Sequence, residues 1–216
     1  MRRVGKVGGS GKVSTFEGGV RVPTVLWAPG RVPQGTTCDK IASTLDVLPT
    51  LTALAGAEPP TDRVIDGEDI SHLLHGKFEE ADPDKAFFYY LRVHLQAVRQ
   101  GKWKLHLPRQ AKQPGTAPFL VNRHIAPVDR VGFEKPFLVD LDKDLGETTN
   151  VAEQHPDVVK KLLGLAQDMR NDLGDFDQVG KNMRFFDTIA QRPTRPPVPQ
   201  VRDISRPKKP KPAGNQ

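Results

Sequence analysis

A lysine lies near the start of the chain in a turn that is rich in glycine and hydroxyl side chains. Lys12 belongs to the stretch GKVSTFEGGVRVP, residues 11–23, and is followed by Glu17 and Arg21. A lysine ahead of a buried strand can project its charge into a cleft at the strand end and hold an anionic group there. Because the glycines permit positive φ, Glu17 and Arg21 also fit a purely structural turn. Taken alone, the stretch is more typical of a solvated lysine than of an anion-holding one.

Further stretches of the sequence follow in an order that is typical of one protein family. They are WAPGRVPQG, STLDVLPTLTALAGA, DGEDISHLLHG, AVRQGKWKLH and FLVDLDKDLGETTNVAEQHPDV. Together with the lysine turn, they resemble the C-terminal half of the formylglycine-dependent sulfatases, the arylsulfatase-like branch of the alkaline phosphatase superfamily. The matching stretches cover most of residues 9–170. We therefore expect a C-terminal portion of a sulfatase, an enzyme that hydrolyses sulfate esters.

The resemblance implies a catalytic role for Lys12. This residue occupies the position of the family's active-site lysine in the pattern GKGTTxEGG, with Val13 in place of a small residue. In the family the ammonium contacts the sulfate group and balances the negative charge that moves onto the ester oxygen as the S–O bond breaks. Glu17 and Arg21 match the pattern as well. We interpret both as turn residues, and a direct substrate contact by either of them stays open.

The family's cofactors are calcium and formylglycine, and this sequence lacks the residues that would supply them. Formylglycine forms from a Cys or Ser in C/S-x-P-x-R, whereas Cys38 is followed by DKIA and Ser205 by RPKK. The paired aspartates and the Asp-Asn that hold calcium in relatives are also missing. Residues 140–144, DLDKD, lack the downstream Gly and Glu of a calcium loop. We predict no metal site in this chain and expect it to be inactive alone.

His94 is a candidate for substrate recognition. It lies just before the predicted strand LQAVRQ and shares its segment with Tyr89, Tyr90 and Arg92, near where relatives often place substrate-facing residues. A rim histidine without function is the alternative. The substrate implied by the resemblance is a sulfated small molecule or glycan.

The elements that must position these residues begin with residues 1–76, which we interpret as a remnant of the α/β catalytic domain. Apolar runs bounded by Pro and Gly predict a buried strand over 22–29, and a second strand is predicted over 40–44. A helix is predicted over 47–55, with Asp46 as its N-cap. A short helical turn is expected within residues 67–76.

Residues 77–180 predict a second subdomain, of the α+β class. Four β-rich segments, KAFFYYLRV, LQAVRQ, GKWKLHL and KPFLVDL, indicate a small antiparallel sheet with a hairpin at Gln100-Gly101. Trp103 is interpreted as a core residue. Residues 108–135 read as a long irregular loop. Pro156 then opens an amphipathic helix that we expect to pack across the sheet.

The charge of the chain is concentrated at one end. The formal net charge is +6, and residues 191–216 carry seven Lys or Arg against one acid. Residues 181–216 are rich in Pro and lack apolar periodicity, so we predict a disordered basic tail. Without aromatic interleaving or a known module, we expect no nucleic-acid partner.

The composition leaves the cellular location open. No apolar run is long enough to span a membrane, and the first residues lack a signal-peptide pattern, although relatives are commonly periplasmic, secreted or lysosomal. The closeness of Lys12 to Met1 leads us to expect that an N-terminal half is the missing partner. The alternative is a non-catalytic sulfatase-like module that binds sulfated glycans or a partner subunit.

Overall fold

A four-stranded antiparallel sheet packed against one long helix forms the centre of the structure. The computed structural model describes residues 14–110, 112–113, 128–129 and 132–183. Lys12, most of the long loop and the predicted tail from residue 184 onward lie outside the described residues. The predicted sheet and helix are confirmed, and the described fold is of the mixed α+β class.

The strands form one larger sheet and two short pairs. In chain order they are β1 (Ala86–Leu91), β2 (His94–Gln100), β3 (Trp103–His106), β4 (Lys112–Gln113), β5 (Val128–Asp129), β6 (Phe137–Asp140), β7 (Gly174–Asp175) and β8 (Gln178–Val179). The larger sheet has the order β1-β2-β3-β6, while β4 pairs with β5 and β7 with β8. Gly101 has a φ of 54° in the turn from β2 to β3, which glycine adopts without strain. The predicted hairpin is therefore present.

The helices are one long element and three short ones. In chain order they are α1 (Glu17–Val20), α2 (Val47–Leu54), α3 (Ser71–Leu74) and α4 (Pro156–Asp172). α4 begins with the predicted proline, whose missing N–H costs nothing in a first turn. α2 matches the predicted helix to within one residue, and α3 is the expected short turn.

The core lies between α4 and one face of the sheet. Val98, Leu105 and Leu138 are cross-strand partners on β2, β3 and β6, and all three are fully buried. Leu162 and Ala166 of α4 pack against this row. Burial of a leucine side chain contributes about 1.5–3 kcal/mol, so this layer is the main apolar source of stability among the described residues.

A register shift keeps β2 aligned with this core. The pairing of β1 with β2 shifts by one residue between Tyr89 and Tyr90, so that Tyr90 pairs with Leu95 and Tyr89 with Ala97. Such a bulge inserts one residue and changes which face later side chains take. Leu95 and Val98 therefore both face the core although three positions separate them.

The strands predicted over 22–29 and 40–44 are wrong. The first of these segments has no strand pairing, and the side chains of Val25 and Trp27 are 91% and 86% exposed. The second is irregular and leads into a 3₁₀ turn, Thr44–Asp46. A strand needs a neighbour to take its backbone hydrogen bonds, and none of the described residues provides one for either segment.

Asp46 occupies the predicted N-cap position of α2 but does not cap the helix with its side chain. Its backbone angles are already helical. Ser43 caps the preceding 3₁₀ turn instead: its side chain accepts from the Leu45 N–H, and its own N–H donates to the Asp46 carboxylate. This reciprocal pair is a capping box, and the 3₁₀ turn runs directly into α2.

Candidate functional site

A buried cluster of charged side chains lies on the face of the sheet that points away from α4. Along β3 and just beyond it, Trp103, Leu105 and Leu107 pack with the core, so Lys104 and His106 must point to the opposite side. An alternating strand of this kind normally turns its polar side chains to water. Here Lys104 and His106 are both fully buried.

The Lys104 ammonium has three protein oxygen atoms within 3.0 Å, two of which accept hydrogen bonds. Nζ donates to the Thr15 carbonyl at 2.7 Å and to Glu17 Oε1 at 2.9 Å, and it lies 3.0 Å from Glu147 Oε1. It also lies 4.4 Å from the centre of the Tyr89 ring. Because the ammonium is fully buried among these oxygen atoms, Lys104 is committed to the protein and is not available to an anionic ligand.

Glu17 is held from several sides. Its carboxylate is 2% exposed and also lies near the guanidinium groups of Arg99 and Arg21, at 3.6 and 3.8 Å. Its backbone N–H donates to Glu147 Oε2 at 2.5 Å. A buried carboxylate is stable only when it is paired and hydrogen-bonded, and these contacts supply both conditions.

Glu147 bridges the two sides of the cluster from a left-handed backbone conformation. Its φ of 56° is uncommon for a residue other than glycine and costs about 1–3 kcal/mol. Oε1 faces His106 Nε2 at 2.8 Å as well as Lys104. Burial raises the pKa of Glu147, but the hydrogen bond from His106 and the charge of Lys104 outweigh it and hold that pKa below its ordinary value.

His106 is the neutral member of the cluster. Burial lowers the pKa of His106 from 6.5 to about 4, against the opposing effect of its hydrogen bond with Glu147. The ring is therefore uncharged at pH 7. Because the ionised carboxylate of Glu147 can only accept, Nε2 of His106 carries the proton and donates.

Three consecutive residues, Thr15, Phe16 and Glu17, pack on this face of the sheet. Thr15 Oγ1 donates to Gln96 Oε1 at 3.1 Å, and the Phe16 ring lies 4.6 Å from the ring of His106. All three residues are at least 95% buried. The sheet is thus covered by α4 on one face and by this docked segment, residues 15–17, on the other.

The docked segment lies immediately after Lys12 in the chain. Thr15 is three residues beyond Lys12, and each Cα–Cα step spans 3.8 Å, so the two Cα atoms are within about 11 Å of each other. Lys12 itself lies outside the described residues. The structure therefore fixes the chain three residues away from Lys12. The catalytic role of Lys12 stays a prediction.

Arg21 lies at the edge of the cluster. Its side chain is 40% exposed, between Glu17 and an exposed carboxylate oxygen of Asp39 at 3.1 Å. This position fits the turn role that the sequence indicates. A substrate contact by its exposed portion stays a prediction.

His94 is the first residue of β2 and is buried, with 5% exposure. Its ring stacks on Phe176 in the β7–β8 turn at 4.6 Å. The neighbouring Leu95 N–H donates to Asp175, which is also paired with Arg170. His94 therefore lies apart from the charged cluster under a small hairpin, and its role in recognition stays a prediction.

Sequence reasoning missed the residues that build the cluster. Lys104 was expected only as part of a hairpin, and His106 and Glu147 were not singled out. Glu17 and Lys104 are 87 residues apart, so no local spacing links them. The available signal was the alternation W-K-L-H-L over residues 103–107, because burial of its apolar half leaves the polar half in need of partners if the other face is covered.

The described residues contain no group of three or more His, Cys, Asp or Glu side chains that could hold a metal ion. Cys38 is exposed and free. The described part of the chain thus supplies neither a set of calcium ligands nor a residue that fits a formylglycine precursor. We therefore assign it no catalytic step that uses either group. No helix of the described part is long and apolar enough to cross a membrane.

Large apolar side chains are exposed almost only in the first part of the described chain. Outside residues 14–76, Val179 is the only exposed large apolar side chain among the described residues. The others lie at the end of α1, on the segment that follows it, on and before α2, and on one later loop: Val20, Val22, Val25, Leu26, Trp27, Leu45, Val47, Leu48, Leu51 and Val64. We refer to these ten residues as the apolar surface. Large exposed apolar patches are typical of surfaces that contact another polypeptide, a membrane or a ligand.

Comparison with known proteins identifies related sequences. A family model described as the C-terminal region of aryl-sulfatase matches residues 82–201. Human arylsulfatase A is 38% identical over 161 residues, which are 70% of this chain and 31% of that protein. Mouse steryl-sulfatase is 34% identical over 164 residues, with shares of 70% and 26%. Dog N-acetylgalactosamine-6-sulfatase is 43% identical over 97 residues, with shares of 44% and 18%.

A solved structure shows the same fold. The PsFucS1 sulfatase from Pseudoalteromonas sp. matches with a TM-score of 0.57 at 22% identity, over 74% of this chain and 31% of that one. The chain thus spans about a third or less of the length of the relatives that it matches.

Proposed function

This chain belongs to the aryl-sulfatase family, of which it contains the C-terminal region, and we propose that it contributes to the hydrolysis of sulfate esters. The proposal takes its chemistry from the family and its geometry from the described residues. The observation that carries it is the docking of residues 15–17, directly after Lys12, on the buried charges of the sheet. This arrangement is evidence that the sheet holds the lysine turn in place.

Lys12 is the residue to which we assign a catalytic role. A lysine ammonium placed at the sulfate group stabilises the negative charge that develops on the ester oxygen as the S–O bond breaks. Such stabilisation requires a donor held in place before the reaction occurs. Docking of residues 15–17 limits how far the turn that carries Lys12 can move.

We further propose that the chain is inactive alone. The sequence contains no C/S-x-P-x-R motif that would supply the nucleophile of the family. Within the part of the chain that the structure describes, no group of side chains could hold the family's metal. The exposed apolar surface is evidence for an additional polypeptide segment that covers it. The partner that we propose is the N-terminal part of a sulfatase. Both parts would then contribute to one active site.

The proposed substrate is a sulfated small molecule or glycan. Arg21 is proposed as a substrate contact because part of its side chain is exposed beside the docked segment. His94 is proposed as a second, more distant contact, which would require displacement of Phe176 from its ring. The individual sulfate ester depends on loops contributed by both parts of the active site.

A fusion protein tests this proposal. The chain is joined to the N-terminal part of human arylsulfatase A in place of the segment that it matches, and turnover of a chromogenic aryl sulfate is measured. We expect turnover by the fusion, a loss of kcat of about 100-fold or more in its Lys12→Ala variant, and no turnover by the chain alone. Lys6→Ala, a change of the same type six residues earlier, is the matched control and should retain activity.

Two outcomes would contradict the proposal. A fusion that folds and hydrolyses the sulfate equally well with Lys12→Ala would remove the catalytic role of Lys12. A folded fusion without turnover, combined with tight binding of a sulfated glycan by the chain alone, would instead identify a non-catalytic binding module.

A further inference from the structure

The buried cluster contains a lysine whose place in the fold links the sheet to the lysine turn. Lys104 is the only described residue that hydrogen-bonds both the Thr15 carbonyl and the Glu17 carboxylate. Its third contact, Glu147, accepts the Glu17 N–H through its other oxygen. Lys104 and Glu147 therefore close a ring of contacts around the docked segment.

We propose that Lys104 is a positioning residue of the sulfatase site, which acts by fixing the register of residues 15–17 and, through them, the location of Lys12. This inference rests on the proposed function of Lys12. Lys104 does not touch substrate, because its ammonium is fully buried and surrounded by three protein oxygen atoms.

The charges of the cluster explain why a lysine is needed at this position. Two carboxylates, Glu17 and Glu147, approach the same ammonium, and His106 beside them is neutral. Arg99 lies at 3.6 Å from the outer oxygen of Glu17, so it cannot replace the contact with Glu147. Without Lys104 the two buried carboxylates would face each other without a shared cation, which favours release of the segment that carries Glu17.

The contacts of Lys104 also fix distance along the chain. A shift of the docked segment by one residue would place a different residue at each of these contacts. It would remove Glu17 from the ammonium and Phe16 from the ring of His106 at once. Because consecutive Cα atoms are 3.8 Å apart, such a shift would move the point at which the chain toward Lys12 is attached by up to about 3.8 Å.

Amide hydrogen exchange of the full chain tests the structural part of this inference. In Lys104→Met, backbone amides of residues 15–20 should exchange about tenfold faster or more than in the unmodified chain, while those of β2 and β3 stay protected. Lys102→Met is the matched control, because Lys102 is 41% exposed and pairs with Asp140 away from the docked segment. Equal protection of residues 15–20 in both variants would overturn the inference.

A double-mutant cycle in the active fusion tests whether Lys104 acts through Lys12. Lys104→Met should lower kcat by about 10- to 100-fold, since small misplacements of a catalytic group cost this much. Added to Lys12→Ala, it should cause no further loss beyond about twofold. Losses that multiply would show that Lys104 affects activity independently of Lys12 and would contradict the inference.

A second variant keeps the test informative if Lys104→Met does not fold. Glu17→Gln keeps the size of the side chain and removes only its charge, so it should loosen residues 15–20 in the same way, to a smaller degree. The hydrogen-exchange results of Lys104→Met and Glu17→Gln can be read whether or not Lys12 has a role in activity. Failure of the proposed function and failure of the positioning role are therefore separable.

Discussion

The two parts of the described chain are held together by different forces. Residues 77–183 bury an apolar layer between α4 and the sheet, centred on Leu105 and Leu162. Residues 14–76 are held mainly by polar contacts, through the docked segment and through Asp46, which accepts from the N–H groups of Ser43 and Glu68. The comparison shows that a segment can be well placed by buried charges while most of its apolar side chains stay uncovered.

The comparison also shows which part leaves its apolar side chains uncovered among the described residues. The C-terminal part satisfies its own apolar residues, as an independent core does. The earlier part turns its apolar surface outward and contains no paired strand among its described residues.

The largest difference between the two parts should appear when a leucine is shortened. Leu162→Ala, in α4, should lower the free energy of unfolding by about 2–5 kcal/mol, because its side chain is 1% exposed. Leu51→Ala, the same change in α2 at a residue with 58% exposure, should cost within about 0.5 kcal/mol. Urea unfolding of both variants measures this. Equal losses would mean that α2 belongs to a core as well.

The pH dependence of stability should report on the polar cluster. Burial holds the pKa of His106 at about 4, against 6.5 when unfolded, so the unfolded chain binds more protons between these values and stability falls as the pH drops through this window. From pH 7 to pH 5 we expect a loss of about 2 kcal/mol that is absent in His106→Gln.

The control for this pH effect is His75→Gln, because His75 is exposed. That variant should keep the full acid sensitivity of the unmodified chain, measured by urea unfolding at the two pH values. Below about pH 4.5 the lowered pKa of Glu147 adds a further loss in the same direction. An unchanged pH profile in His106→Gln would show that His106 is not buried in the folded chain.

Loss of the capping box should have a smaller effect. Ser43→Ala removes the hydroxyl that accepts from the Leu45 N–H at 3.0 Å, and should cost about 1 kcal/mol of unfolding free energy. Ser43→Thr retains a hydroxyl and should recover most of that loss. If both variants behave alike, the entry into α2 is not held by this cap.

The smallest change in stability should come from the apolar surface. Val25→Ser should alter the free energy of unfolding by less than about 0.5 kcal/mol, since Val25 is 91% exposed. It should nevertheless reduce self-association, measured by sedimentation, because the surface lacks a cover. Val179→Ser, at a residue outside that surface, is the control and should leave association unchanged.

Much of the fold followed from local sequence signals. The hairpin at Gly101, the four strands of the sheet and the helix that starts at Pro156 were predicted because each is specified by its own turn or capping chemistry and periodicity. The segment over 22–29 was wrongly predicted as a strand, because its composition is that of a strand while its pairing depends on residues elsewhere.

The cluster around Lys104 could not be predicted in this way. A lysine in a strand with alternating polarity normally indicates a solvated face. The burial of Lys104 and His106 results from docking of residues that come almost ninety positions earlier, as the 87-residue separation of Glu17 and Lys104 shows. The sequence stretches that resemble one family include both the region of Glu17 and the region of Lys104. That resemblance does not show that the two regions are in contact.

The most direct test of the account is amide hydrogen exchange in the unmodified 216-residue chain, resolved by residue. The account predicts that the Glu17 N–H, which donates to buried Glu147, exchanges as slowly as the amides of β2 and β3. Amides of residues 24–27 should exchange almost as fast as in an unfolded chain. A Glu17 amide that exchanges as fast as those of residues 24–27 would contradict the docking of the lysine turn on the sheet.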